Sequence, residues 1–281
     1  MRLARVRDGD LVRPVVASDN GPWLDLRTIA PDVTPQLLES GLAEVRGALA
    51  GGSLPEVSLG SGWAPPLVGV GKIVCVGLNY ALHAAESGAQ PPSEPVLFMK
   101  NADTIVGPDD QVLIPRASVS TDYEVELAIV IGSTARYLDS PEQSLDHIAG
   151  YAISHDVSER EFQLHRGGQW DKGKNCETFN PMGPWILLPE PGALLVDRGL
   201  RLWVNSDLRQ NGNMNDLIFA IPHLVWYISQ FMVLYPGDVI NTGTPAGVAL
   251  GRVDKPYLRA GDIVELEIDG LGRQRQIMGQ A

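Results

Sequence analysis

Cysteine is scarce in this chain. Cys75 and Cys176 stand alone in 281 residues, with neither the paired spacing of a redox site nor the clustered spacing of a zinc site. A reduced, cytoplasmic setting accounts for them. Positive charge is in short supply too: 22 Lys and Arg face 34 Asp and Glu, for a formal net charge of −12. That balance excludes nucleic acid and anionic membrane as partners, since both would repel the chain. Any anion site must then be a local cationic pocket. Long apolar runs are missing as well. The best, Leu224 to Tyr235, is too short for a bilayer and contains Ser229 and Gln230. Met1 to Asp8 has no apolar stretch of the secretory type, so no secretion signal is expected. The five histidines include no His-x-His pair, which argues against a cupin-type metal site. No internal repeat is visible.

What remains is ordinary globular material, 44% hydrophobic and 20% charged, long enough for a sizeable core. Residues 1 to about 50 read as short strands followed by an amphipathic helix from Thr34 to Leu49. A stretch dense in Gly and Pro, from Gly51 to Pro66, marks the expected boundary between a small unit at 1–68 and a main domain at 69–281. Strands are expected at Lys72–Gly77, Pro95–Lys100, Gly150–Ser154, Trp185–Leu188, Leu200–Asn205 and Val239–Thr242. Asp262–Ile268 is expected as the closing strand. Ser144–Ile148 and the long stretch Asn213–Leu234 read as helical. Many short strands with few helices indicate a β-rich α+β body rather than a doubly wound sheet.

The chain is organised around Thr121 to Gly132, whose last five residues before the glycine are all apolar, the mark of a strand buried on both faces. Alternation puts Glu124 and Glu126 on one face, about 7 Å apart, and that face continues into Ala128 and Val130. Two covered carboxylates repel each other and are costly to desolvate unless a cation or a shared proton joins them. A hard divalent ion bound by oxygens solves that problem; a strand end emerging into water leaves nothing to solve.

Other groups have two readings each. His83 and Glu86, at i and i+3, suit a base that activates water, and equally a surface helical pair. Asp156 is placed to be a third oxygen ligand or a helix cap. Arg160 and Gln163 follow one turn later, able to hold a carboxylate or an oxyanion. His155 reads as a structural, hydrogen-bonding histidine. Arg160, Arg166, Lys172 and Lys174 cluster among glycines that bring backbone close to something, or else form a solvated loop. The turn Gly243–Gly247 offers amides and the Thr244 hydroxyl to an anionic group, or is equally a plain turn.

Five motifs then appear in one order: Gly77-x-Asn79-Tyr80-x-x-His83-x-x-Glu86; Asp122-Tyr123-Glu124-x-Glu126; Asp156-Val157-Ser158-x-Arg160-x-x-Gln163; Gly173-Lys174-x-x-x-Thr178-Phe179-x-Pro181-x-Gly183-Pro184; and Pro236-Gly237-Asp238-Val239-Ile240-x-Thr242-Gly243-Thr244-Pro245-x-Gly247. Across roughly residues 70 to 273 the chain resembles the fumarylacetoacetate hydrolase family. The resemblance implies a mixed β-sandwich roll, usually homodimeric, behind a small variable front domain. It implies one Mg²⁺ or Mn²⁺ per chain on Glu124, Glu126 and Asp156, and a water-activating dyad of His83 and Glu86. Lys174 would join the dyad in catalysis, with Arg160, Gln163, Tyr80 and Thr244 binding substrate. In similar proteins the dyad lies on a segment that orders when ligand binds. Asn175, Glu177, Met214-Asn215 and Ala249 depart from the residues that relatives often carry near the substrate.

The implied reaction is hydrolysis of the C3–C4 bond of a 2,4-dioxo acid to pyruvate and a carboxylic acid. The run Glu159 to Trp170 looks most like members acting on 2,4-diketo-3-deoxy sugar acids. Isomerisation or decarboxylation of a 2-oxo-diene-dioate is the alternative within the family. From another class, a β-sandwich binding module with a structural Ca²⁺ would account for the carboxylates, though it has no use for the dyad or the cationic cluster.

Overall fold

The computed structural model describes residues 1–19 and 21–281. The strand Val125–Ile131 is buried at every position, as the apolar run from Leu127 to Ile131 requires. One face, with Leu127, Ile129 and Ile131, packs into a core shared with Leu200, Leu202, Val264 and Leu266 of a second sheet. The other face, with Ala128 and Val130, packs against Leu37, Leu38, Val45, Ile73 and Met182. Two sheets and a flanking helical segment are therefore held by one strand. Burying an aliphatic side chain of this kind stabilises the fold by about 1.5–3 kcal/mol.

In the larger sheet this strand lies between Ile148–His155 and Val239–Asn241, both antiparallel to it. Beyond Val239–Asn241 come Ile73–Gly77, parallel, and then Val96–Lys100. On the other side Ile148–His155 pairs with Asn180–Leu187, which pairs in turn with Arg2–Asp8. The smaller sheet runs Asp207–Asn213, Gly199–Val204, Ile263–Ile268, Gly272–Gln280 and Val112–Ile114. The architecture is the β-rich sandwich with few helices expected from the sequence. Among the described residues, no helix is long and apolar enough to cross a membrane.

Three expectations need correction. The segment 213–234 is not one helix: a 3₁₀ turn at Met214–Asp216 is followed by an α-helix only at Ile221–Ser229. Between them the amides of Ile218 and Phe219 bond to Asn79 rather than to the preceding turn, and Pro222, in the first turn, marks the true start. Beyond its far end Leu234 pairs with Ala135 in an antiparallel bridge. The segment 34–49 is likewise divided, into a π-turn at Leu37–Gly41 and an α-helix at Leu42–Ala50. Finally, Ile263–Ile268 does not close the sheet; Gly272–Gln280 follows it. That strand hides because its inward residues include Gln274 and Gln276, fully buried and bonded to the carbonyls of Ile153, Gly183 and Pro108.

Candidate active site

Glu124 and Glu126 flank the first residue of the central strand, and Asp156 follows the strand that pairs with it. The amide of Asp156 donates to the carbonyl of Glu124 at 3.0 Å, which locks the two segments in register. The three carboxylates are buried, and oxygens from each lie within 4.8 Å of one another.

Three cations surround them. Arg160 begins the helix Arg160–His165; its Nη2 donates to Glu124 Oε1 at 2.6 Å, its Nε to Asp122 Oδ2 at 2.8 Å and its Nη1 to Gln163 Oε1 at 2.9 Å. Lys174 Nζ donates to Glu124 Oε2 at 2.7 Å and Asp156 Oδ2 at 2.6 Å. Lys100, at the end of its strand, donates to Asp156 Oδ1 at 2.5 Å. Among the described residues the cluster thus sets four carboxylates, counting Asp122, against three cations, all of them buried.

The excess charge falls on Glu126. It accepts one amide, from Gly243 at 2.8 Å, and forms no ion pair among the described residues. Burial first, then repulsion from Asp156 and Glu124, pushes its carboxyl well above the usual range. Burial acts the same way on Glu124, but Lys174 and Arg160 outweigh it and hold that carboxyl well below the usual range. Burial would likewise lower the Lys174 and Arg160 values, yet the adjacent carboxylates drive both up, so both side chains stay charged. An all-oxygen set with one uncompensated negative charge is what a hard divalent cation such as Mg²⁺ or Mn²⁺ fits.

Glu124 and Glu126 form one wall of a cleft of about 170 Å³ that is also lined by His83, Arg160, Gln163, Lys174 and Thr244. Phe98, Leu164, Trp170 and Leu250 supply apolar walls. His83 lies on the helix Ala81–Glu86, where i, i+3 spacing brings its Nδ1 to 2.9 Å from Glu86 Oε1. Glu86 in turn accepts the Gly247 amide, 3.0 and 2.9 Å from its two oxygens. The turn 243–247 therefore does receive anions, and they are the protein's own: Gly243 serves Glu126 and Gly247 serves Glu86. Both glycines have positive φ, +99° and +115°, and a Cβ on Gly247 would stand 2.0 Å from the Arg209 carbonyl oxygen.

Nine of the ten residues singled out from the sequence converge here. Seven of them line the cleft directly: His83, Glu124, Glu126, Arg160, Gln163, Lys174 and Thr244; Asp156 and Glu86 lie behind them, bonded to Lys174 and His83. The Thr244 proton is spent on the Val125 carbonyl at 2.9 Å, and its oxygen accepts from Gln210 at 2.8 Å, so its hydroxyl has no proton left for a substrate. Tyr80 is the exception. It is buried ahead of the helix, pairs its backbone with Leu217, and is not among the lining residues. Its hydroxyl has no partner among the described residues, and burial raises its phenol well above the ordinary value. His155 is structural, as expected: its Nδ1 meets Gln276 Oε1 at 3.1 Å, and burial lowers its imidazole to about 3. Sequence reasoning missed Lys100, Asp122 as the Arg160 anchor, and Trp170. A lysine ending the apolar strand Val96–Lys100 was the available signal for the first.

Residues 72–278 match the family model described as Fumarylacetoacetate (FAA) hydrolase C-terminal. A Burkholderia multivorans protein, provisionally named a hydrolase, is 45% identical over 99% of this chain and 98% of its own length. Two solved structures are similar over nearly their whole lengths. The 5-carboxymethyl-2-hydroxymuconate delta-isomerase of Mycobacterium smegmatis is 31% identical with a TM-score of 0.77, covering 100% of this chain and 99% of that one. The maleylpyruvate hydrolase of Sphingobium sp. SYK-6, in complex with manganese(II) and pyruvate, is 30% identical with a TM-score of 0.81, covering 100% of both chains. With the family model matching most of its length, this chain belongs to the fumarylacetoacetate hydrolase family.

Proposed function

We propose that the protein is a divalent-metal-dependent hydrolase that cleaves the C3–C4 bond of a small 2,4-dioxo acid, releasing pyruvate and a carboxylic acid. One observation carries this reading: His83, paired with a backbone-anchored Glu86, lines the same cleft as Glu124 and Glu126, which with Asp156 behind them form a carboxylate set suited to a hard cation. A cation held by Glu124, Glu126 and Asp156 would supply Lewis-acid polarisation of the 2-oxo carboxylate end of the substrate.

The chain's own groups account for the rest. Glu86 accepts the His83 Nδ1 proton, which fixes the tautomer and leaves Nε2 as the base. His83 takes a proton from water as the water oxygen bonds to C4. The electron pair of the C3–C4 bond then passes to C3, which is protonated, giving the methyl of pyruvate. Arg160 has two N–H groups not engaged by Asp122, Glu124 or Gln163, and Gln163 uses only its oxygen on Arg160. Both can meet a developing oxyanion. Phe98, Leu164 and Trp170 cover the cleft and favour a compact acyl group. The family resemblance adds a hydrolase relative whose structure contains manganese and pyruvate.

The test is pyruvate release from a panel of acylpyruvates and 2,4-diketo-3-deoxy sugar acids, with Mg²⁺ or Mn²⁺ and with EDTA. Metal-dependent pyruvate is the expected result. Metal-dependent hydrogen exchange at C3 without pyruvate would favour the isomerase or decarboxylase reading, of which the Mycobacterium smegmatis relative supports the isomerase. A second expected result separates the dyad from the metal. His83→Ala should lower turnover by about 100- to 10,000-fold, the usual worth of a positioned base, and leave Mn²⁺ affinity unchanged by calorimetry. Unchanged turnover would remove His83 from the mechanism.

A further inference from the structure

The two buried lysines of the cluster carry the same charge and are equally hidden, at 1% and 2% exposure for Lys100 and Lys174, but they are held in different ways. Lys100 spends all three ammonium protons, on Asp156 Oδ1 at 2.5 Å, the Phe179 carbonyl at 2.7 Å and the Val157 carbonyl at 3.1 Å. Two of those acceptors are backbone and cannot leave. Among the described residues Lys174 has only Glu124 Oε2 and Asp156 Oδ2. It also lines the cleft, and its Nζ lies 4.9 Å from the centre of the Phe98 ring, a surface that favours a cation.

The carboxylate oxygens are divided accordingly. Arg160 holds Glu124 Oε1 and Lys100 holds Asp156 Oδ1. The oxygens left for a metal on these two ligands are the ones that Lys174 bridges. A lysine ammonium and a divalent cation cannot share them closely, because like charges a few ångströms apart repel strongly in a buried site. We propose that the Lys174 ammonium stands in for the divalent cation on Glu124 and Asp156 and is released into the cleft when the cation binds, whereas Lys100 stays fixed and positions Asp156 for it. The consequence is an ordering of events. Lys174 becomes free to donate to a substrate oxygen only in the metal-loaded protein, so the metal-free site keeps Glu124 and Asp156 paired with it and is inactive.

The inference rests on the metal reading of the three carboxylates, and one experiment separates the two. Mn²⁺ affinity is measured by calorimetry, and by the electron paramagnetic resonance of free Mn²⁺, for the full-length wild type, Lys174→Met and Lys100→Met. Each variant loses one positive charge, so simple electrostatics would tighten Mn²⁺ binding in both. Displacement and positioning demand opposite signs: about tenfold or more tighter binding for Lys174→Met, and about 10- to 100-fold weaker binding for Lys100→Met, the usual cost of losing a group that orients a metal ligand. Lys100→Gln, which keeps a hydrogen-bond donor, should weaken binding less than Lys100→Met and serves if the latter does not fold. Lys174→Gln plays the same part for Lys174. Equal or weaker binding in the Lys174 variants, or tighter binding in both sets, overturns the proposal and leaves the metal reading standing. Wild type that binds no Mn²⁺ removes both.

Discussion

Asp156→Asn is expected to abolish divalent-cation binding and turnover together, and to cost the fold about 3–5 kcal/mol besides, the usual penalty for breaking a buried ion pair from one side. The reason lies in where the carboxylate sits. Both of its oxygens are spent on ammonium groups, Lys100 on one and Lys174 on the other, and all three side chains are buried. An amide in its place turns one acceptor into a donor facing a cation and strips the other of charge. Two buried lysines are left under-compensated. For a chain of this size each kcal/mol moves the midpoint of thermal unfolding by roughly 2–4 °C, so a fall of roughly 10 °C in EDTA is expected. Scanning calorimetry gives the stability arm, and Mn²⁺ titration with a pyruvate assay gives the other. Metal-dependent turnover surviving in Asp156→Asn would sink its role as a ligand.

Glu126→Gln should do the opposite to the metal-free protein: raise its stability at neutral and alkaline pH while still losing the metal. Among the described residues Glu126 alone of the three proposed ligands lacks a cationic partner, and burial and its neighbours raise its folded-state value above that of the unfolded chain. A group shifted upward favours the folded state at low pH, and that contribution is lost as pH rises through the raised folded value. In EDTA the wild type should therefore lose stability relative to Glu126→Gln as pH climbs from about 5, ending about 1–3 kcal/mol behind. Glu124, shifted downward, acts in the other sense, but it is present in both proteins and cancels from the difference. Saturating Mn²⁺ should reverse the order: ligand at one hundred times its Kd adds about 2.7 kcal/mol to the wild type and nothing to the variant. Unfolding midpoints from pH 5 to 9, with EDTA and with Mn²⁺, decide it. A variant less stable than wild type in EDTA throughout would mean that Glu126 is compensated by something other than a metal.

Much of the site could be read from local order. Glu124 and Glu126 share a strand face by simple alternation, and His83 and Glu86 share a helix face by i, i+3 spacing; neither needs the rest of the fold. The apolar run after Glu126 foretold a strand buried on both sides, and the glycines of the turn 243–247 left it open as either a place for anions or a plain turn. Elements failed where a distant partner took over the backbone. Asn79, some 140 residues away in sequence, captures the Phe219 amide and stops a helix that periodicity alone would have started earlier. Gln274 and Gln276 occupy inward positions of the last strand, where an apolar residue is expected, because carbonyls of other strands need donors there.

The amino-acid sequence by itself determined the carboxylate-bearing strand, the His–Glu helix, the glycine turn and the acidic balance that makes any anion site local. These follow from alternation, helical spacing and composition, all of them short-range. Only the tertiary structure decided how the charges pair. Lys100 and Lys174 lie 74 positions apart, yet they meet on the two oxygens of Asp156, one caged by backbone carbonyls and one held by carboxylates alone. No local pattern distinguishes two buried lysines; the number and kind of acceptors around each ammonium does. The same holds for Glu126, whose unpaired charge is a property of three strands, a helix and a turn brought together around it.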